Sequence, residues 1–101
     1  MTITQKTEAN AIVLECEGRL DTTTAPELEA VLLPVFDTNP TVILDFKYLE
    51  YVSSAGLRVL LKGQKKAVAV GGSMTVRNVM DEIIEVFEMT GFIDVLTVER
   101  I

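Results

Sequence analysis

Between Val42 and Leu61 the apolar residues change period, and two serines stand at the change. Val42-Ile43-Leu44 is a continuous apolar run of the kind a buried strand carries. Tyr51-Val52 forms a second short extended piece, with Asp45 expected at the end of the central strand before it. From Ala55 onward the spacing is helical, which predicts a helix to about Val70 with Leu57, Leu60, Leu61, Gln64 and Val68 on one face. A buried strand that turns into an amphipathic helix needs further strands beside it and a sheet for the helix to cover. Ser53 and Ser54 then lie where a strand edge becomes a helix N-terminus.

That position has a definite chemistry. The first turn of a helix presents N–H groups with no partner inside the helix, at the positive end of its dipole. A serine there can cap the helix through its hydroxyl oxygen. The same place accommodates a phosphate, because free N–H groups and the dipole both favour an anion. A phosphoserine would change the surface by nearly two negative charges and leave the fold beneath intact. Spacing alone leaves both readings open, a plain N-cap with its neighbour or a modification site.

Other chemistries are excluded by what the chain lacks. It contains no His, so Ser–His and Cys–His nucleophile pairs and His-based zinc sites are absent. There is no Gly-Lys-Ser/Thr phosphate loop and no Gly-x-Ser-x-Gly elbow. The expectation is therefore a protein that is not an enzyme and holds no cofactor or metal. A net charge of −6 disfavours nucleic acid or an anionic membrane surface as main partner. The lone Cys16 rules out a disulfide framework and is expected to be buried packing. With no signal peptide and no run near the roughly 20 apolar residues of a membrane span, a reducing cytoplasm is the expected location.

The 101 residues are expected to form one domain over 1–101. Ile3 to Thr7 alternates, Asn10 turns the chain, and Ala11 to Gly18 alternates again with Ile12, Leu14 and Cys16 on one face. Gly18 is expected to end that hairpin. Asp21-Thr22-Thr23-Thr24-Ala25-Pro26-Glu27 is a helix-start cluster, with Thr24 and Glu27 at capping-box spacing and Pro26 allowed in the first turn. Leu28, Val31, Leu32 and Val35 make its apolar stripe, and Pro34 predicts an irregular end. After the central unit, Gly71-Gly72 closes the helix and Ser73 to Val76 resumes a strand. Asn78 is expected to cap a helix with Val79, Ile83, Val86 and Phe87 inward, ended by Gly91, before a last strand over Ile93 to Val98. The order β-β-α-β-α-β-α-β predicts an α/β fold, a mixed and largely parallel sheet of four to five strands with helices packed on it.

Three charged features have a plain reading and a functional one. Asp21 is a loop acid or a contact for a partner. Asp45 accepts loop N–H groups, or lies beside Ser54, where it orients the hydroxyl or repels an added phosphate. Arg58, Lys62, Lys65 and Lys66 make a basic stripe on an acidic protein, either a solvated face or a contact strip for an acidic partner.

The central stretch, Asp45 through Tyr51-Val52-Ser53-Ser54-Ala55-Gly56-Leu57-Arg58-Val59-Leu60-Leu61, resembles the signature of STAS domains, specifically bacterial anti-sigma factor antagonists. Gly18-Arg19-Leu20-Asp21 and Thr90-Gly91-Phe92 resemble two further landmarks of that family, in its order, so the likeness covers essentially the whole chain. The commoner family motif is Asp-Ser-Ser/Thr-Gly-Leu. Matching on Gly56-Leu57 puts Ser53 where that Asp stands, Ser54 on the phosphoacceptor and Ala55 on the next residue, with Ser53 as the alternative acceptor. The resemblance implies a single STAS domain, monomeric when free. It also implies a docking surface of Asp21, Thr22 and Thr23 in one loop, Asp45, Ser53, Ala55, Gly56 and Leu57 at the centre, and Arg58 and Lys62 on the helix. The implied partners are an anti-sigma factor acting as a serine kinase of the histidine-kinase-like ATPase fold, and a PP2C-type phosphatase. A constitutive scaffold, such as a subunit of a lipid-transport or stressosome-like complex, stays open as the alternative. So do nucleotide binding and, against the missing His, a serine hydrolase.

Overall fold

Strand-forming alternation and helical period divide the chain as its sequence predicts. The computed structural model describes residues 1–101. It orders them as β1 (Thr2–Glu8), β2 (Ala11–Leu20), α1 (Ala25–Val35), β3 (Thr41–Val52), α2 (Ser54–Ala69), β4 (Ser73–Val79), α3 (Asp81–Thr90), a 3-10 turn over Phe92–Asp94, and β5 (Thr97–Arg100). The sheet order is β1-β2-β3-β4-β5, with β1 antiparallel to β2 and every later pair parallel. Each parallel crossover steps one strand in the same direction. Right-handed connections therefore set α1, α2 and α3 on one face of the sheet.

The covered face carries the core. Leu14, Leu44 and Val76 sit side by side across β2, β3 and β4, all fully buried. Val42 with Met74, and Phe46 further along β3, continue the layer. Leu28 and Leu32 of α1, Leu57 and Leu60 of α2, and Ile83, Ile84 and Phe87 of α3 close it from above. The opposite face has no helix and mixes apolar pairs such as Val13 with Ile43 with polar ones. There Glu15, Asp45 and Arg77 are register neighbours.

Arg77 crosses that open face. Its Nε donates to Asp45 Oδ2 at 3.2 Å, and its Nη1 and Nη2 donate to Glu8 at 2.8 and 3.0 Å. Since Arg77 lies on β4 and Glu8 on β1, the ion pair spans β2 and β3. Val13, on the same face of β2, is fully buried although it stands outside the main core.

Several local expectations are corrected. β3 does not stop at Asp45 but runs on to Val52, with irregular pairing to β2 on either side of Glu17. Gly18 does not end β2; at φ +106° it serves an irregularity from which the strand continues to Leu20. Thr24 and Glu27 form no capping box, because Thr24 Oγ1 donates to Arg19 O at 2.7 Å and accepts from Asp21 N at 2.8 Å. Asn78 caps no helix: it adopts φ +57° at the end of β4 and gives its amide to Asp45 at 3.2 Å, while Met80 stands at the N-cap of α3. Val79 belongs to β4, and the last strand is shorter than expected because Phe92–Asp94 coil into a 3-10 turn first. On α2 the inward stripe is Gly56, Val59, Leu60, Gly63 and Ala67, with Leu57, and Val68 faces solvent.

Candidate functional site

The site is built where the ends of β2 and β3 meet the start of α2. Ser53 leaves β3 in extended conformation, φ −96° and ψ 174°, and its Oγ accepts the Gly56 N–H at 3.2 Å. Its own N–H donates to Leu20 O at 2.8 Å, tying the junction to the end of β2. Ser53 is thus the N-cap, and the cap reading holds for it.

Ser54 differs in every respect. It is the first residue of α2, is exposed, and its hydroxyl makes no hydrogen bond. An exposed hydroxyl on a well-formed helix start is accessible to an enzyme that carries a phosphoryl donor, and the side chain has nothing to give up on modification.

Close packing holds this junction in place. A Cβ on Gly56 would come within 2.6 Å of Leu20 Cγ and 3.0 Å of Val52 Cγ2. Only a hydrogen fits between the helix and the two strand ends. Gly56 and Leu57 were both expected on a docking surface. Both are buried, Leu57 in the core and Gly56 against Leu20 and Val52, where they seat the start of α2.

The preceding loop is set by Asp21. Its Oδ1 accepts the N–H groups of Thr23 at 3.0 Å and Thr24 at 3.1 Å. The Thr24 N–H holds the Asp21 carboxyl below the usual carboxylate range, against the opposing effect of partial burial, with the Thr23 N–H adding to it. Asp21 is thereby the acid that starts α1, and it orients the exposed Thr22 and Thr23. Arg19 stacks on the Tyr51 ring at 4.2 Å and comes within 4.0 Å of Asp21, so loop and strand end share a charged rim.

A groove of about 590 Å³ runs from this rim between α1 and α2. Thr22, Ala55, Arg58 and Lys62 line it, which brings together four of the residues singled out in the sequence. Its other wall is α1, through Pro26, Glu29, Ala30 and Leu33. Sequence reasoning missed that wall. The signal was there, since Pro26, Ala30 and Leu33 repeat at i, i+4 and i+7, beside the deeper stripe of Leu28 and Leu32.

The basic stripe is partly neutralised. Lys62 Nζ donates to Glu29 Oε1 at 2.9 Å and Lys66 lies 3.3 Å from Asp37, whereas Arg58 and Lys65 have no carboxylate partner. Asp45 lies apart from the groove. It lines a hollow of about 150 Å³ on the other side with Thr4, Glu15, Cys16, Glu17, Lys47 and Tyr48. Burial pushes its carboxyl up, but the Lys47 N–H, the Asn78 amide and Arg77 outweigh burial and hold it below its ordinary range. Its hydrogen bonds are all to these groups, so the placement of Asp45 beside the Ser54 hydroxyl is corrected. The cause is the extension of β3, which separates Asp45 from Ser54 by seven further strand residues, Phe46 to Val52.

Known proteins share this architecture. The STAS domain family model matches residues 2–100. The chain is 34% identical over 91 residues to BtrV of Bordetella bronchiseptica, provisionally named an anti-sigma factor antagonist, covering 88% of this chain and 78% of that protein. It is 28% identical over 93 residues to the anti-sigma-B factor antagonist of Bacillus subtilis, covering 92% of this chain and 85% of that one. Its fold also matches that of the Bacillus cell fate determinant SpoIIAA in its phosphorylated form, at a TM-score of 0.74 and 19% identity over 96% of this chain and 90% of that chain.

Proposed function

Because the chain belongs to the STAS domain family, we propose that it is an anti-sigma factor antagonist whose partner binding is switched by phosphorylation of Ser54. The observation that carries this reading is the division of labour between the two serines: Ser53 is committed to capping α2, and Ser54 is exposed with a free hydroxyl. The names of the two relatives supply the class of partner.

In this reading the unmodified chain, free as a monomer in the cytoplasm, docks its Ser54 end and the α1–α2 groove on an anti-sigma factor and so frees the client of that factor. The partner is also a serine kinase of the histidine-kinase-like ATPase fold. The Ser54 oxygen forms a bond to the γ-phosphorus of ATP, the bond to ADP breaks, and the hydroxyl proton passes to a base on the kinase. ATP and its magnesium belong to the partner, and this chain contributes only the acceptor and the surface around it. The new phosphate sits in the middle of the interface, where desolvation and repulsion oppose a modest complex. A PP2C-type phosphatase hydrolyses the phosphoserine and restores the binding form.

The test uses wild type, Ser54→Ala and Ser54→Asp as immobilised baits, with bound proteins identified by mass spectrometry. The expected result is an ATP-binding anti-sigma factor retained by wild type and Ser54→Ala and lost with Ser54→Asp. Equal retention by all three would favour the constitutive scaffold.

A further inference from the structure

Arg58 follows Ser54 by one helical turn, and nothing in the structure occupies its charge. Side chains four apart on a helix are neighbours, with Cβ atoms about 5–6 Å from each other. Both residues are exposed, and Arg58 faces the groove whose rim continues into Ala55. The other charges around the groove are already engaged: Lys62 with Glu29 at 2.9 Å, Lys66 with Asp37 at 3.3 Å, and Asp21 with the Thr23 and Thr24 N–H groups and, at 4.0 Å, Arg19. Lys65 is also unpaired, but it stands eleven positions from Ser54, about three turns along the helix. The first turn of α2 contains no acidic residue to compete for Arg58.

We infer that Arg58 is the internal counter-ion of phosphoserine 54, so that phosphorylation adds an anion at the helix start and also withdraws the one unpaired cation of the groove. The inference rests on Ser54 being the acceptor, and it supplies the regulation of that site. In the unmodified chain the guanidinium is free to meet a carboxylate on an acidic partner surface. Once Ser54 carries phosphate, three oxygens with close to two negative charges lie within reach of the guanidinium fork, which suits paired N–H donation to phosphate. The partner then loses an attractive contact and gains a repulsive one from a single modification.

The experiment needs no partner. Phosphoserine is installed at position 54 during translation, in wild type, Arg58→Gln and Arg58→Lys, and the phosphate is titrated by phosphorus NMR. An unpaired phosphoserine loses its second proton near pH 6. Pairing predicts that the wild-type value lies about 0.3–0.7 pH unit below that of Arg58→Gln, with Arg58→Lys between them. The difference shrinks at about 1 M salt, where screening is strong. In wild type the Arg58 Nε–H resonance moves on phosphorylation. Superimposable titrations for wild type and Arg58→Gln, with an unmoved Arg58 resonance, would overturn the inference. Arg58 is exposed, so the variants are expected to fold, which their amide spectra check. Absence of phosphate on Ser54 in cells would defeat the proposed function and leave this titration unaffected, so the two failures are distinguishable.

Discussion

The Ser53 hydroxyl oxygen accepts the Gly56 N–H at 3.2 Å, and this one bond gives two adjacent serines different roles. Replacing Ser53 by Ala removes the cap and is expected to cost about 1 kcal/mol of stability. Ser54→Ala touches no bonded atom and is expected to change stability by less than about 0.5 kcal/mol. Urea unfolding followed by circular dichroism checks both. Equal losses for the two variants would mean that the serines share the capping role.

Gly56 and Gly63 both lie on the buried side of α2, and alanine at each gains helix propensity of roughly 1 kcal/mol. At Gly56 the added methyl meets Leu20 Cγ at 2.6 Å and Val52 Cγ2 at 3.0 Å, at the ends of two strands. Overpacking there is expected to produce a net loss of about 1–3 kcal/mol. At Gly63 the nearest atoms are Leu32 Cδ2 at 2.7 Å and Met74 Sδ at 2.8 Å, and the thioether can move aside. Gly63→Ala should therefore cost less than Gly56→Ala in the same urea measurement.

Acid should loosen the open face of the sheet. Asp45 is 7% exposed and its folded carboxyl titrates below its unfolded value, because the Lys47 N–H, Asn78 and Arg77 overcome the effect of burial. As pH falls the unfolded chain takes up this proton first. The contribution is complete above about pH 5, begins to fall as the unfolded carboxyl protonates, and disappears as pH drops through the folded value. Asp45→Asn should flatten the stability profile below about pH 4 relative to wild type, measured by urea midpoints from pH 7 down to 2.5. Parallel profiles would mean that Asp45 is not the titrating group.

Cys16 should be chemically silent in the folded protein. It is 2% exposed, and burial, with the Asp45 charge as a lesser cause, pushes its thiol up to about 12. A disulfide reagent at pH 8 should label it only at the rate of unfolding, and urea above the midpoint should make labelling fast. Rapid labelling in native buffer would contradict the burial.

The order of elements was legible because period and turn chemistry agreed along most of the chain. Ser53 and Ser54 were legible for the same reason: a change from period 2 to 3.6 marks a helix start wherever the sheet lies. What stayed hidden depends on partners distant in sequence. Asn78 has the composition of a cap, but at φ +57° it turns its amide to Asp45, thirty-three residues earlier in the chain. Asp45 reads as a strand end because it is charged, and it survives within β3 because Arg77 reaches it from β4. Val68 fits a helical stripe as well as Gly63 does, yet close packing against Leu32 and Met74 turns the glycine side inward. The α1 wall of the groove exists only once α1 and α2 lie side by side.

The most direct test of the switch is phosphosite mapping. Purified wild type and Ser54→Ala are incubated with lysate of the source organism and Mg-ATP, and the peptide carrying residues 53 and 54 is sequenced by mass spectrometry. The account predicts one phosphate on Ser54 in wild type and none on this peptide in the variant. Phosphate on Ser53, or none at either serine while the lysate phosphorylates a control substrate, would contradict it.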